Sequence, residues 1–388
     1  MPVPRTSPTP AQVVAALDAV HDPEIGRPLT ELDMIDAVEV DARGHVEIRV
    51  LLTVAACPLR ATISADIRAA VTALPGVTGV DIDFGVMSED QRRALRVQLR
   101  GPAAEAENGL TAPDTVTRVY CVASGKGGVG KSSVTVNLAV ALARRGLRVG
   151  VMDADVHGHS VPAMLGITTG PTVVERMLMP PSAFGIRVIS IGMFADGNTP
   201  VLWRGPMLHR ALRQFVHDVY WGELDILLID MPPGTGDIAI SLAQLLPAAQ
   251  LLVVTTPQRT AARIAERAGA VAARTGQRVA GIIENMSWYD APDGTRHTPF
   301  GAGGATAVSR ALSVLLDRHC PVLGRIPFDP VACAAGDDGV PFTHAAPESA
   351  PAHAIADIAA ILAPTGGGLT GRRLPVTPMN RTVQRNGA

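Results

Sequence analysis

A glycine-rich octapeptide, GKGGVGKS at residues 125–132, limits the possible folds of this chain more than any other segment does. It fits the P-loop pattern of a glycine, four residues and then Gly-Lys-Ser, between a strand-like segment (VYCVAS) and a helix-like segment (SSVTVNLAVALARR). The glycines let backbone N–H groups turn inward around phosphate oxygens, and the following helix adds partial positive charge at its N-terminus. The octapeptide therefore predicts a strand–loop–helix unit that binds the phosphates of a nucleotide.

The polar groups of this loop have expected partners on bound ATP and Mg²⁺. Lys131 is placed to bridge the β- and γ-phosphates, and the Ser132 hydroxyl is placed to ligate Mg²⁺. A glycine-rich turn without a ligand is the alternative, and the flanking strand and helix argue against it. We expect the following residues to contact the nucleotide: Gly125, Lys126, Gly127, Gly128, Val129, Gly130, Lys131, Ser132 and Ser133.

Lysine is confined to this loop. Of the 34 lysines and arginines in the chain, only Lys126 and Lys131 are lysines. A compact ammonium enters a tight phosphate cradle that a planar guanidinium does not, so this restriction favours a functional role for both. Because Lys131 already serves the bound phosphates, Lys126 has no evident role within its own loop, and a lysine at the outer rim is able to reach the nucleotide of a partner subunit, as an arginine finger does.

Strand-like and helix-like segments alternate through the rest of this region. Several of the strands are continuously apolar, which is typical of strands covered by helices on both faces. The pattern predicts an α/β fold with a doubly wound, mostly parallel sheet. The expected strands are 118–123, 148–153, 187–191, 225–230, 251–256, 279–284 and 322–326, and the expected helices include 131–145, 207–219, 238–246 and 261–275.

Acidic residues lie at the ends of two of these strands, where such sheets bind their ligands. Strand VGVMD ends in Asp153, closely followed by Asp155, and strand ILLID ends in Asp230. We expect Asp230 to hold Mg²⁺ in the Walker-B manner, Asp153 to lie near the ion, and Asp155 to position the attacking water. The run MPPGTGD at 231–237 predicts a switch that responds to the γ-phosphate, with a plain strand-to-helix turn as the alternative.

Two further groups carry weaker signals. Asn285 follows another apolar strand and offers the paired donor and acceptor that the edge of adenine requires. His157 and His159 have a spacing that allows metal ligation, although exposed loop histidines are the commoner case.

The N-terminal part of the chain predicts a separate small α+β domain. Residues 1–100 fit an αββαβ order, which begins with a helix capped by Thr9 and Gln12. Residues 101–115 are small, polar and rich in Pro and Gly, so we expect a linker there, followed by the ATPase domain at 116–363. For residues 364–388 we expect a disordered tail.

Composition excludes several classes of function. The formal net charge of −2 argues against a polybasic nucleic-acid coat, and 3% aromatic residues argue against stacking platforms for single strands. No apolar run approaches the length of a membrane span, and the first residues do not fit a secretory signal. The four cysteines are widely spaced, which is not typical of a disulfide framework, so we expect a cytoplasmic protein that binds neither nucleic acid nor membranes.

The motifs together resemble a known family. The GKGGVGKS loop with its early lysine resembles the deviant P-loop of dimerising ATPases such as partition and division-site proteins, nitrogenase iron protein and iron–sulfur carriers. In order, SGKGGVGKS, DADVHGHS, DMPPGTGD, VTTPQ, IIENMSW and GRIPFDP resemble the Mrp-type iron–sulfur cluster carrier ATPases. DPEIGRPLTELDMI, LLTVAACPL and LPGVTGVDIDF resemble the iron–sulfur assembly domain often fused ahead of that ATPase.

The resemblance implies an ATP-hydrolysing homodimer, slow and used as a switch, that exchanges clusters with iron–sulfur assembly proteins and apo-protein recipients. It also implies that Asn285 and the segment near Pro327 contact the base. The family commonly carries a Cys-x-x-Cys after the ENMS segment, where two subunits share a [4Fe–4S] cluster. Here the corresponding positions are Ala291 and Gly294, and no cysteine pair in the chain has that spacing.

Cys57 is the remaining candidate ligand for a cluster. It precedes Pro58 at a predicted strand-to-helix junction, where the helix N-terminus is expected to lower its pKa, although a buried thiol acting as a small apolar group is the alternative. Cys121 is expected in the core, and a site with His297, Cys320 or Cys333 is unsupported.

Three functions stay open at this point. One is the carrier, the second is a nucleotide-gated scaffold that has lost its cluster, and the third is a partition- or division-site-type ATPase. The proline-broken tail and the slightly negative charge argue against the third, because such proteins need an amphipathic helix or a basic face.

Overall fold

The N-terminal unit is a three-stranded sheet with helices packed on one face. The computed structural model describes residues 7–54, 57, 59–100, 110, 115–156, 158–175, 177–194, 205–234 and 236–364. In the order β1-β2-β3, the first pair of strands is antiparallel and the second is parallel. Its elements are α1 (Pro10–Leu17), β1 (Ile35–Val40), β2 (His45–Leu52), α2 (Arg60–Thr72), β3 (Gly79–Val86) and α3 (Glu89–Arg100).

The first and last helices of this unit, α1 and α3, each begin with a capping box. At α1 the predicted pair is present, since the Gln12 backbone N–H donates to Thr9 Oγ1 at 3.3 Å and the Thr9 N–H donates to Gln12 Oε1 at 2.8 Å. The αββαβ prediction is wrong by one helix, because α3 follows β3. Ser88 and Gln91 form the same reciprocal pair, so the S-x-x-Q spacing was a usable signal for α3.

The larger unit contains the predicted mostly parallel sheet. The strands of this region, including two separate hairpins, are β4 (Arg118–Ser124), β5 (Val149–Asp153), β6 (Thr172–Val174), β7 (Met177–Met179), β8 (Ser182–Ala183), β9 (Ile186–Ser190), β10 (Ile226–Asp230), β11 (Gln250–Thr255), β12 (Val279–Glu284), β13 (Tyr289–Asp290), β14 (Arg296–His297) and β15 (Val322–Arg325). Among the described residues the sheet has eight strands in the order β15-β12-β11-β4-β10-β5-β9-β8, all parallel except for the edge strand β8.

Helices cover both faces of this sheet, as the continuously apolar strands predicted. Two separate clusters of buried side chains result, one on each face. The helices are α4 (Lys131–Arg144), α5 (Val161–Met164), α6 (Gly205–His217), α7 (Asp237–Leu245), α8 (Arg259–Thr275), α9 (Gly304–Leu315), α10 (Pro330–Asp337), α11 (Phe342–Ala345) and α12 (Ala350–Leu362). None of the described helices is long and apolar enough to cross a membrane.

The β6–β7 hairpin joins the two units, a contact that the sequence did not predict. Val174, Met177 and Met179 are at most 2% exposed and belong to the apolar core of the N-terminal unit. Polar contacts border this interface: Thr172 Oγ1 donates to Glu24 Oε1 at 3.1 Å, and Arg187 Nη2 donates to the Ile25 carbonyl at 3.0 Å. The hairpin therefore ties the small unit to the large sheet.

Two predicted segments lie mainly outside the described residues. Of the predicted linker at 101–115, the structure describes Leu110 and Thr115, and Leu110 is buried in the core of the large unit. Of the predicted tail at 364–388, it describes only Pro364.

Candidate nucleotide-binding site

The octapeptide forms the connection from β4 to α4, as predicted. Gly128 and Gly130 have φ angles of 77° and 79°, in the left-handed region that favours glycine. Gly125 is packed so closely that a Cβ atom there would collide with the backbone of Ile264 in α8. By contrast, a Cβ at Gly127 or Gly128 would meet nothing within 4 Å, so this part of the loop faces open space.

That open space is a cavity of about 370 Å³ at the carboxyl edge of the sheet. Its position matches the expected place for a ligand in an open α/β sheet. The glycine-rich loop forms most of its wall, with a smaller contribution from the segments that follow β5 and β10. It is lined by Ser124, Lys126, Gly127, Gly128, Val129, Gly130, Lys131, Ser132, Ser133, Asp155, Gly158, Ser160, Met164 and Pro233.

Lys131 lies at the centre of a buried polar cluster. Its Nζ donates to Asp230 Oδ2 at 2.6 Å and lies 3.4 Å from Asp155 Oδ2. Asp230 also accepts hydrogen bonds from Ser132 Oγ at 2.6 Å and from Thr135 Oγ1 at 2.7 Å. Lys131 and Asp155 are each 6% exposed and Asp230 is fully buried, so the cation and the carboxylates compensate one another away from water.

Asp153 is buried and does not line the cavity. Parallel pairing puts it directly beside Asp230. However, its Oδ2 accepts from Ser190 Oγ at 2.8 Å and its Oδ1 accepts from the Asp155 N–H at 3.1 Å. Burial, and then the neighbouring charge of Asp230, raise the pKa of Asp153 to about 7. The geometry therefore favours a role for Asp153 in holding the backbone at Asp155 rather than direct contact with an ion in the cavity.

Lys126 lines the outer rim of the cavity. Its Nζ donates to Oε1 of Gln258, the residue just before α8, at 3.1 Å. It makes no ion pair with the described residues, whereas Lys131 makes two. The two lysines therefore differ in this chain, one buried against carboxylates and the other held at the rim by a neutral amide.

Asn285 and Pro327 lie behind the loop. Asn285 Nδ2 donates to the Val129 carbonyl at 3.0 Å, and a Cβ at Gly130 would collide with the same amide group. Pro327 is buried beside it, where the segments after β12 and β15 pair through Phe328 N–H and the Trp288 carbonyl at 2.7 Å. Neither residue lines the cavity, so in this structure Asn285 braces the phosphate loop.

The predicted switch after β10 is partly described. The Gly234 N–H donates to the Ser124 carbonyl at 2.8 Å and Gly234 has a φ angle of 98°, so the turn is held against the end of β4. Thr235 and His157 lie outside the described residues. His159 is exposed and packs against Gly192.

The two positions expected to carry cysteines close a β-turn. The Gly294 N–H donates to the Ala291 carbonyl at 2.9 Å, at the tip of the β13–β14 hairpin. Asp290 holds the hairpin through Arg296 Nε at 2.7 Å and Trp288 Nε1 at 3.0 Å, and the Arg296 guanidinium lies 4.5 Å from the Trp288 ring centroid. This surface turn has no thiolate with which to bind a cluster.

Cys57 is half-buried against the core of the N-terminal unit, three residues before α2. The expectation of a lowered pKa is wrong. Burial raises the pKa of this thiol, and the charges of Glu24 and Asp22 raise it further, while backbone hydrogen bonding from Leu59 opposes them. A backbone hydrogen bond from Arg60, the first residue of α2, also lowers the pKa, but burial is the larger effect.

The other cysteines offer no ligand cluster. Cys121 and Cys320 are buried, Cys333 is exposed on α10, and His297 lies in the β13–β14 hairpin. Within the described ranges, no group of three or more His, Cys, Asp or Glu side chains has the geometry to hold a metal ion.

The mostly parallel sheet and the glycine-rich loop between β4 and α4 define a P-loop NTPase fold. Residues 115–363 match the family described as NUBPL iron-transfer P-loop NTPase, and residues 10–82 match the iron–sulfur cluster assembly protein family. The chain belongs to the NUBPL-type iron-transfer P-loop NTPases and carries an iron–sulfur assembly domain ahead of the NTPase. The resemblance to Mrp-type carriers is thereby confirmed.

Several known proteins are similar to this chain. An iron–sulfur cluster carrier protein of Mycobacterium tuberculosis (strain H37Rv) is 52% identical over 371 residues, covering 96% of this chain and 97% of the relative. A protein of the same name from Bacillus subtilis (strain 168) is 41% identical over 311 residues, covering 80% and 85%. A solved nucleotide-binding protein from Archaeoglobus fulgidus, in complex with ADP, is 35% identical with a TM-score of 0.49, covering 58% of this chain and 87% of that one.

Proposed function

We propose that this protein is a cytoplasmic iron–sulfur cluster carrier that binds and hydrolyses ATP as a nucleotide-gated homodimer. The observation that carries the nucleotide half is the buried Lys131–Asp230–Asp155 cluster at the floor of a glycine-lined cavity. Membership of the iron-transfer NTPase family and the names of the relatives support the carrier half. Iron–sulfur assembly proteins would supply the cluster, and apo-proteins would receive it.

ATP would enter with its phosphates on the loop. Lys131 Nζ would leave Asp230 for the β- and γ-phosphates, because the phosphate charge replaces the carboxylate as its partner. This exchange frees Asp230 Oδ2 and Ser132 Oγ, which lie 2.6 Å apart and are the hard oxygen donors that Mg²⁺ prefers. Bound there, Mg²⁺ would neutralise charge that develops on the phosphates.

Asp155 is the residue we assign to the attacking water. Its carboxylate lines the cavity, its Oδ1 accepts from the Gly158 N–H at 3.1 Å, and its Oδ2 faces Lys131. A carboxylate fixed in this way orients a water and accepts hydrogen bonds from it. We assign Asn285 to holding the loop behind the nucleotide.

We assign Lys126 to the active site of the partner subunit. The test mixes two inactive variants, Lys126→Ala and Lys131→Ala. A mixed dimer would contain one site with its own Lys131 and the partner's intact Lys126, so the mixture should recover about a quarter of the wild-type rate. A mixture as inactive as either variant alone would show that Lys126 acts within its own chain.

The cluster is the cargo, and Cys57 is the ligand we assign to it. Ala291 and Gly294 remove the usual ligand pair, and one cysteine per chain leaves coordination incomplete unless a second copy or a partner supplies the rest. Asp22 and Glu24, whose charges act on Cys57, would favour a positively charged metal group beside the thiol.

A nucleotide-gated scaffold is the second candidate, favoured by the lack of a metal-binding group within the described ranges. Iron and acid-labile sulfide, measured after anaerobic reconstitution and desalting, would separate the two. The carrier predicts a retained cluster in the wild type and in Cys333→Ser, and its loss in Cys57→Ser. If none of the three proteins retains iron while ATP is still hydrolysed, the carrier function is refuted and the scaffold remains.

A further inference from the structure

The outward face of the small sheet carries a row of three like charges. Glu39 is paired in register with Glu47, and Glu47 with Asp81, so the three carboxylates lie side by side across β1, β2 and β3. All three residues are exposed. Like charges directly opposite each other on neighbouring strands destabilise a sheet. Folding alone therefore does not account for this row.

The described residues compensate only part of this charge. His45 Nε2 lies 3.0 Å from Asp81 Oδ2, and Arg49 in the next row lies 3.4 Å from Asp36 and 3.8 Å from Asp83. No described residue forms an ion pair with Glu39 or Glu47. The face thus remains acidic, and residues 10–82 as a whole contain 11 acidic residues against five arginines.

The C-terminal segment has the opposite character. Residues 365–388 contain four arginines, at positions 372, 373, 381 and 385, and neither aspartate nor glutamate. This segment, which follows the described residues, is complementary in charge to the small sheet.

The segment also starts within its own extended length of the small unit. The Leu362 carbonyl, at the end of α12, accepts from Tyr120 Oη at 3.3 Å and from Arg118 Nη1 at 3.4 Å, which places it at the beginning of β4. The small unit contacts the beginning of β9 through Arg187. Since β10 and β5 separate β4 from β9, the two strands are about 15 Å apart within the sheet. Leu362 packs on one face of this sheet and Arg187 bonds to Trp221 on the other, so the segment must also pass around the sheet. Twenty-four residues span up to about 80 Å when extended.

We propose that residues 365–388 dock on the outward face of the small sheet of the same chain, with arginines against Glu39, Glu47 and Asp81. Docking would relieve the repulsion along the row. It would also cover the exposed face of the iron–sulfur assembly domain with a segment of the chain itself. The proposal does not depend on ATP hydrolysis or cluster binding.

Tryptic cleavage of the full-length protein at Arg381 and Arg385, followed by intact-mass spectrometry, tests this docking. The test variant is Glu39→Gln/Glu47→Gln/Asp81→Asn, and the matched control Asp66→Asn/Glu89→Gln/Asp90→Asn neutralises three exposed carboxylates on helices of the same unit. In about 25 mM salt the tail of the test variant should be cut about tenfold faster than that of the wild type or the control. The difference should vanish in about 500 mM salt, where screening is strong.

A second variant, Arg372→Gln/Arg373→Gln, leaves the small sheet untouched and should also speed cleavage at Arg381 and Arg385. Equal rates in wild type and test variant would overturn the proposal, and so would an equal acceleration in the control. Protection that increases with protein concentration would overturn docking within one chain in favour of docking between copies.

Discussion

The molecule contains two groups of buried or half-buried carboxylates that are compensated in different ways. In the nucleotide site, Asp155 and Asp230 lie within 3.4 Å of the ammonium group of Lys131, and Asp153 lies beside Asp230 on the next strand. In the small unit, Asp22 and Glu24 lie near the Cys57 thiol, and no described cation pairs with either carboxylate. Burial raises the pKa of one carboxyl in each group, Asp153 and Glu24, to about 7.

Because of this difference, ligand binding has a different electrostatic effect at each group. The nucleotide site can exchange one ion pair for another, whereas the carboxylates near Cys57 can accept additional positive charge. Lys131 already neutralises its carboxylates, so phosphate and Mg²⁺ can replace one set of ion pairs by another without leaving a bare charge in the interior. Near Cys57 no described cation compensates Asp22 and Glu24, and burial raises the pKa of both. Under the proposed function, the metal centre of the cargo would supply the missing positive charge.

The largest expected effect comes from removing the cation of the first group. Lys131→Met should lower the free energy of unfolding by about 3–5 kcal/mol, because Asp230 would remain buried without its partner. ATP hydrolysis should fall by at least about 100-fold. Lys126→Met is the matched control for stability, since the Lys126 ammonium donates to the neutral amide of Gln258, and its effect in urea unfolding should stay within about 0.5 kcal/mol. Equal stability of the two variants would contradict the charge-compensation account.

Asp155→Asn keeps the shape of the first group and removes one charge. Hydrolysis should fall by about 100-fold or more if this carboxylate positions the water. Nucleotide affinity, measured by calorimetry, should change by no more than about threefold, because Lys131 and the loop would still bind the phosphates. A parallel loss of affinity and rate would instead place Asp155 in binding.

The raised pKa of Glu24 predicts how the free energy of unfolding depends on pH. A carboxyl whose pKa rises from 4.5 unfolded to about 7 folded binds its proton more tightly in the native state, so its stabilisation is full at low pH and is lost between pH 4.5 and 7. Unfolding in urea at pH 5 and pH 8 should show a loss of about 1–3 kcal/mol from this residue.

Glu24→Gln should remove that part of the pH dependence. The pKa of Asp153 is also raised, so part of the pH dependence of stability should remain in this variant. The exposed carboxyl variant Asp66→Asn serves as the control and should leave the curve unchanged. An unchanged curve in Glu24→Gln would mean that Glu24 is ionised in the folded protein.

The smallest expected effect is on the reactivity of Cys57. Glu24→Gln removes a charge that raises the thiol pKa, so alkylation by iodoacetamide at pH 8 should be about two- to fivefold faster. The assay needs a Cys333→Ser background, because Cys333 is exposed. A slower reaction would show that Glu24 acts on Cys57 through packing rather than through charge.

The sequence was most informative where contacts are local or follow from sheet order. Lys131 and Ser132 belong to one short motif, and parallel strands bring Asp230 to the same edge, so their meeting was predictable. Asp153 lies at that edge too, but Ser190, 37 residues further on, occupies one of its oxygens. Such a pairing depends on which strand adds beside β5, which no local pattern specifies.

Cys57 shows the same limit. The nearby helix start predicted a lowered pKa for Cys57. Burial raises this pKa instead, together with carboxylates that lie more than 30 residues earlier in the sequence. The β6–β7 hairpin was also beyond sequence reasoning, because its short apolar strands contain no sign of the unit they pack against. By contrast, α3 was within reach, since its capping residues are adjacent in the sequence.

The β6–β7 hairpin has a consequence for the modularity of this chain. Val174, Met177 and Met179 complete the interior of a unit to which they do not belong in sequence. Cutting the chain at the connection between the units would expose these side chains on one fragment and leave a hole in the other, at about 0.8 kcal/mol for each buried methylene lost to water. The assembly domain therefore does not have a complete core of its own in this chain. Transferring it to another protein would require the β6–β7 hairpin to be transferred as well.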